Sequence, residues 1–278
     1  MKYILFRSDD NECMYPYLYT LCFLVLWLLA AGDLAFGQAS LSVTPAYSYI
    51  TEEAPHGAFA LHNDGTELLE VVVSTRFGVI EADAEGTSTH VSLGTAGMLG
   101  NLAERLTFFP ERLILEPGAE RVVRFLIERP RESAEGAHIA LMHFTMRERA
   151  VVKDGQVPAV ATALDIVYTL VAPVVLIHGR GTPTLRADVL DTGATMLRLL
   201  LTNDTPFPFM GGVSVVGVLG ERIGRAESAV YTRRRLEIPL SEAVTGGRIT
   251  LEFDNSYTGL PAVVKERFAV PASIELSL

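Results

Sequence analysis

Cysteine is nearly absent from this chain: of 278 residues only Cys13 and Cys22 are cysteines, and both lie in the first tenth. A thiol nucleophile and a Cys-ligated zinc site are therefore excluded from the remainder. Basic charge is scarce too, with 23 Lys and Arg against 33 Asp and Glu and a formal net charge of −10. Binding a phosphate backbone needs a basic face, so nucleic acid is excluded as a partner. The N-terminal apolar run Leu18–Ala31, LYTLCFLVLWLLAA, is shorter than the roughly 18–20 residues a spanning helix needs. Glycine (23) and proline (14) stand near ordinary usage, which excludes collagen-like and low-complexity chains. What is present is apolar material, 49% of residues, enough to bury the core of one or two domains.

The apolar run is followed by Ala35-Phe36-Gly37, small residues at the two positions signal peptidase reads, and then by Gln38. Residues 1–37 therefore read as a cleaved export signal, with an uncleaved anchor as the alternative. The leader carries acids beside Lys2 and Arg7, and the start stays open between Met1 and Met14. Cleavage before Gln38 leaves 241 residues, 21 of them basic and 29 acidic, and no cysteine. An exported chain without disulfides must be held by full-sized cores.

That remainder alternates apolar and polar residues with period two, the strand signal. The alternation runs through Leu41–Val43, Ala58–His62, Glu70–Phe77, Arg121–Ile127 and Ile139–Met146, and a long apolar stretch fills Ala163–Ile177. Asn63-Asp64-Gly65, Glu116-Pro117-Gly118 and Lys153-Asp154-Gly155 supply the turns. Ala96–Leu106 is the one segment expected to form a short helix. His178–Pro183 breaks the pattern with Gly and Pro and reads as a linker. Strands are expected again at Met196–Leu201, Gly212–Val218, Arg235–Leu240, Ile249–Phe253 and Val263–Val270. The expected fold is all-β, with two tandem immunoglobulin-like β-sandwich domains, 38–179 and 180–278, after the signal peptide.

No catalytic or metal signature survives inspection, and the chain is expected not to be an enzyme and to need no cofactor. None of His56, His62, His90, His138, His143 and His178 falls in a close ligand spacing. His138 and His143 are five apart, so on one strand they face opposite ways. Ser214 lies in Gly212-Val213-Ser214-Val215-Val216, where Val216 replaces the second glycine of a nucleophile elbow. Gly179-Arg180-Gly181 lacks the third glycine of a dinucleotide loop. Arg233-Arg234-Arg235 reads as a solvated strand edge, and Asn203-Asp204-Thr205-Pro206 as a turn rather than a glycosylation site.

Leu41–Pro45, Leu61–Asn63, Phe109–Gly118, Ala134–Phe144 and Leu199–Phe209, taken in order, resemble segments of the PapD-like periplasmic pilus (fimbrial) assembly chaperone family. Leu41-Ser42-Val43-Thr44-Pro45 resembles its opening strand, and Leu61-His62-Asn63 the apolar-x-Asn partner strand. Phe109–Gly118, leading into Val122–Leu126, is similar to its "P…F.L.PG" run and the apolar-Arg-apolar strand after it. Ala134–Phe144 is similar to its acidic-then-aromatic strand, and Leu199–Phe209 to the "N-x-T-P-Y/F" signature of its second domain.

The resemblance implies a periplasmic chaperone that binds pilus, fimbrial or other surface subunits by donor-strand complementation in the cleft between its domains, with an outer-membrane usher as a further partner. Membrane contact is then confined to the export signal. The donor strand it implies contains Leu164, Ile166, Tyr168 and Leu170, which period two places on one face. Burying four such side chains contributes on the order of 6–12 kcal/mol before the costs of association. The family's basic anchors for a subunit carboxylate have no counterpart here, since neither Thr44-Pro45-Ala46 nor Ala172-Pro173-Val174 contains a basic residue. Residues 79–105 are longer than the family's connection. The competing reading is a structural or adhesive surface component that keeps the fold without chaperoning. A surface hydrolase is a third.

Overall fold

A computed structural model describes residues 40–82, 89–93, 98–128, 130–148, 167–193, 195–244 and 247–277. The expected signal, 1–37, lies outside the described residues. The first half folds as β1 (Leu41–Thr44), β2 (Ser48–Thr51), β3 (His56–Asn63), β4 (Leu69–Arg76), β5 (Gly78–Ala82) and β6 (Thr89–Leu93). It continues with β7 (Gly100–Asn101), β8 (Leu106–Phe109), β9 (Arg112–Leu115), β10 (Glu120–Ile127), β11 (Gly136–Glu148) and β12 (Tyr168–His178). One sheet has the order β1-β3-β10-β8. The other runs β2-β12-β11-β4-β9, with β7 joined parallel to β11. The chain passes from the first sheet to the second between β1 and β2, across the cis Thr44–Pro45 peptide.

Alternation explains the first sandwich. Phe59 and Leu61 of β3 and Val123, Phe125 and Ile127 of β10 point inward, as do Val71 and Val73 of β4. Phe59 is fully buried, and its ring centroid lies 5.6 Å from both Phe125 and Phe144. Each such side chain contributes about 1.5–3 kcal/mol by leaving water.

The second half builds a second sandwich from β13 (Leu185–Thr192), β14 (Met196–Asn203), β15 (Phe209–Val216), β16 (Arg222–Val230), β17 (Arg233–Pro239), β18 (Arg248–Asp254) and β19 (Ile274–Ser277). Its sheets have the orders β13-β14-β17 and β16-β15-β18-β19. Leu197, Leu199, Leu201, Val213, Val215 and Leu251 fill the core, and Phe209 meets Phe253 edge-on at 5.3 Å. The architecture is all-β, two immunoglobulin-like sandwiches in tandem.

A third apolar cluster joins the two. Ala137, Ile139 and Leu141 of β11 and Val175 and Ile177 of β12 pack with Phe207, Met210, Leu260, Val264 and Phe268. This is why β11 and β12 read as continuous apolar runs. Their even residues, Ala140, Met142, Phe144, Val174 and Leu176, enter the first core, while the odd ones enter the shared cluster. The junction is close. Gly136 has φ +121°, and a Cβ there would lie 2.6 Å from the Pro206 Cβ. The Ala137 amide donates to the Pro206 carbonyl at 2.8 Å.

Three sequence expectations need correction. The helix expected over Ala96–Leu106 does not form in its described part. Gly100-Asn101 instead pairs with β11, and a 3-10 turn, Ala103–Arg105, follows. The Asn101 Oδ1 accepts the Ala103 amide at 2.9 Å, and the fully buried Leu102 anchors the turn in the first core. The strand expected over Val263–Val270 is instead opened by a one-turn helix, α1 (Ala262–Lys265). Leu260, Val264 and Phe268, four apart, all face the shared cluster, a helical spacing that the apolar content of the segment conceals. The strand expected at Gly212–Val218 is displaced N-terminally and ends at Val216, leaving Val218 and Leu219 at an exposed hairpin tip. The long segment 79–105 contributes the β5–β6 hairpin, and Val79 is buried in the shared cluster.

Two buried asparagines close equivalent turns. The Asn63 Nδ2 donates to the carbonyls of Glu67 (2.8 Å) and Leu115 (3.1 Å). The Asn203 Nδ2 donates to those of Phe207 (2.9 Å) and Tyr231 (3.1 Å), and its Oδ1 accepts the Thr205 hydroxyl at 2.9 Å. An Asn203→Ala variant removes the amide donor from the Phe207 and Tyr231 carbonyls, of which Phe207 keeps the Thr205 hydroxyl at 3.1 Å, and is expected to lose roughly 1–3 kcal/mol of stability. A lower urea midpoint at unchanged m-value is the expected reading, and an unchanged midpoint refutes the assigned role.

Candidate functional site

A strand presents two rows of backbone hydrogen-bonding groups, and an edge with an unfilled row is a template for another chain. β12 pairs antiparallel with β11 along its whole length, from Tyr168↔Met146 to His178↔Gly136. On its other side β2 pairs with it, parallel, over Val174–Ile177 only, with Ser48 opposite Val174 and Thr51 opposite Ile177. Among the described residues, Tyr168–Pro173 has no partner on that second side. Among the described residues this leaves an extended edge of six residues open up to the point where β2 begins, at Ser48.

Side chains along this edge face two ways. Leu170 is half-buried against the first core, and Val171 packs on the shared cluster. Tyr168 is 49% and Val167 45% exposed, large apolar surfaces at the start of β12. Thr169 and Thr145 share a hydroxyl hydrogen bond of 3.1 Å across the β11–β12 pair. Of the implied donor residues, Tyr168 and Leu170 lie on the open edge, on the face that continues through Ala172, Val174 and Leu176 into the first core. Leu164 and Ile166 lie outside the described residues. Neither β1 nor the described part of β12 carries a lysine or arginine.

Sequence reading missed β2 as a separate element and, with it, the residues that hold it. The alternation Ser48-Tyr49-Ile50-Thr51 was its signal. Ile50 enters the first core and Tyr49 the shared cluster, where the Tyr231 hydroxyl donates to that of Tyr49 at 3.3 Å. Burial pushes both phenols well above the usual tyrosine range, so both keep their protons. Tyr47 stacks on Tyr49 with ring centroids 6.1 Å apart, and it is 39% exposed where β2 leaves the edge. Beyond β2, the Arg267 Nη1 donates to Glu52 Oε1 at 2.7 Å, and its Nη2 donates to Glu53 Oε1 at 2.6 Å and Oε2 at 2.5 Å.

Elsewhere the polar groups satisfy one another. A surface depression of about 340 Å³ on the second sandwich is lined by Ser214, Arg222, Arg225, Glu252 and Asp254. The Arg225 Nη1 donates to Ser214 Oγ at 3.1 Å and to Asp254 Oδ2 at 2.7 Å, so Ser214 meets a cation rather than a base. The His138 ring, kept neutral by burial, donates through Nε2 to the Ala134 carbonyl at 2.7 Å. Among the described residues, no group of three His, Cys, Asp or Glu side chains is placed to hold a metal ion. No helix among them is long and apolar enough to cross a membrane.

No family model and no curated protein matches the chain. Among solved structures it is similar to the Salmonella enterica SafA pilin in complex with the SafB chaperone. The identity is 14% over 88% of this chain and 99% of that one, with a TM-score of 0.43. It is similar to the E. coli chaperone DraB at 12% identity over 86% of this chain and 98% of that one, with a TM-score of 0.42. It is also similar to the CsuC-CsuE chaperone-tip adhesion subunit complex from the archaic Csu pili of Acinetobacter baumannii. There the identity is 13% over 78% of this chain and 94% of that one, with a TM-score of 0.42.

The Arg225 guanidinium holds the Asp254 carboxyl well below the usual carboxylate range, helped by Ser256 and the Gly212 amide. A carboxylate depressed in the folded state adds stability above its unfolded value, and that contribution fades as pH falls below it. The wild type should therefore lose more stability between about pH 5 and pH 2 than Asp254→Asn does. Urea midpoints at pH 7, 4 and 3 read this difference, and parallel curves would rule the ion pair out as a source of acid sensitivity.

Proposed function

We propose that the protein is an exported PapD-like chaperone that binds pilus, fimbrial or other surface subunits by strand addition along the open edge of β12. The observation that carries this reading is the hydrogen-bonding row at Tyr168–Pro173 that no other described residue fills. A subunit segment laid beside it gains main-chain hydrogen bonds. Its side chains alternate between the margin of the first core at Leu170 and the shared cluster at Val171. Of the donor face implied by the family resemblance, Leu164, Ile166, Tyr168 and Leu170, the part ahead of Leu170 is the one proposed to enter the subunit, since Leu170 is already half-buried against the first core. With no basic anchor on β1 or β12, capture rests on backbone pairing and apolar contact instead of a charge-assisted hydrogen bond. An acidic chain that works outside the cytoplasm without disulfides fits this role. The 38–179 and 180–278 parts are proposed to act as one unit, the first offering the strand and the second bracing it.

The test is co-expression with candidate pilus or surface subunits from the same organism. A 1:1 complex that slows subunit aggregation is the expected result, with the protein released as the subunits assemble. Tyr168→Asp places a desolvation-sensitive charge on an exposed position of the edge. It should weaken the complex by at least about tenfold while shifting the melting temperature little. Recovery of the protein in the assembled surface fraction, bound in equal amount with or without the substitution, would favour the structural-component reading.

A further inference from the structure

The open edge ends where it does because β2 covers the rest of β12, and β2 is held from the far side of the junction. It is only four residues long, and its pairing with β12 is parallel. Such a strand has little cohesion of its own. Yet the second sandwich grips it at two places. In its middle, the Tyr49 hydroxyl accepts from Tyr231 at 3.3 Å. Directly after its last residue, Glu52 and Glu53 both bind Arg267. That arginine is itself fixed: its side chain is 9% exposed and also donates to the Gly179 carbonyl at 3.4 Å. Its backbone carbonyl accepts the Gly181 amide at 3.0 Å, and the Ala269 amide donates to Gly181 at 3.1 Å.

We infer that Arg267 and Tyr231 are positioning residues that clamp β2 as a stop on the β12 edge and so set the length and register of the strand it accepts. With the clamp closed, an incoming strand pairs along Tyr168–Pro173 and halts at Val174, where Ser48 already occupies the edge. With it open, β2 can leave, and four more residues of β12, Val174–Ile177, become available for pairing. The inference rests on the strand-addition reading for its functional consequence. The clamp itself does not depend on that reading.

A role confined to holding the sandwiches together predicts no change in where a bound strand ends. The experiment is amide hydrogen exchange on the full chain, wild type against Arg267→Met, each with and without a ten-residue peptide of alternating valine and threonine capped by lysines. In Arg267→Met, exchange over Ser48–Thr51 should accelerate at least about tenfold while β14 and β15 keep their protection. The peptide should protect Tyr168–Pro173 in the wild type and extend its protection into Val174–Ile177 in the variant. Should Arg267→Met unfold, Glu53→Gln with Tyr231→Phe replaces it, and about threefold acceleration over Ser48–Thr51 is expected. Unchanged exchange there in a folded variant overturns the clamp, and so does a footprint that still stops at Pro173 once β2 is released. A peptide that leaves no footprint on the wild type counts against strand addition, while faster exchange of Ser48–Thr51 still upholds the clamp.

Discussion

Among the described residues, β12 is paired on one side along eleven residues but on the other along only four. This mismatch is what the rest of the molecule supports. Under the proposed strand addition, an unbraced strand would fray and offer no template, and a fully covered one would leave nothing to pair. The first sandwich solves half of this by burying the even face of β12 with Phe59, Phe125 and Phe144 nearby in the same core. The second sandwich solves the other half by covering the odd face with Met210, Val264 and Phe268. A strand held on both faces keeps its shape while one edge stays open.

The same double coverage explains which parts of the fold were legible in the sequence. Strands with one buried face, such as β3 and β10, show clean alternation and were readable from Ala58–His62 and Arg121–Ile127. β12 was legible as a strand because it is apolar throughout, although the chain alone does not say which face meets which core. Segments that contribute single side chains to the junction were the ones misread. Leu102 looks like part of a helix until its turn is seen capped by Asn101, and Val264 looks like part of a strand until Leu260 and Phe268 are seen beside it. In both places tertiary contact decides between local structures that propensity leaves nearly equal.

The candidate site was legible in the same uneven way. That Tyr168 and Leu170 share a face follows from period two along one strand, because that arrangement is local, whereas their donor role comes from the family resemblance and remains a proposal. The limit of the edge does not, because it is set by partners far apart in the chain. Glu52 and Arg267 are separated by 215 positions, and nothing in the spacing of either announces the other. Tyr49 and Tyr231 are 182 apart, and each alone reads as an ordinary strand aromatic. Motif resemblance does not help either, since the basic residues it would lead one to expect near Thr44-Pro45-Ala46 and Ala172-Pro173-Val174 are absent here.

That absence changes the physics of the proposed capture. A carboxylate held by buried cations fixes one point of an incoming chain and lets pairing follow from it, so register comes from charge. Backbone pairing alone fixes no such point, since each slip by two residues restores the same hydrogen bonds and the same side-chain alternation. A strand-adding site without an anchor therefore needs a mechanical stop. In this fold the obstacle in the right place is β2, which occupies the edge from Val174 onward. Four parallel-paired residues supply little stiffness, and beside Ile50 in the first core the contacts that add to it, Tyr231 and Arg267, belong to the other sandwich. On this view the second sandwich does more than shield apolar surface: it carries the register information that a cation would otherwise supply.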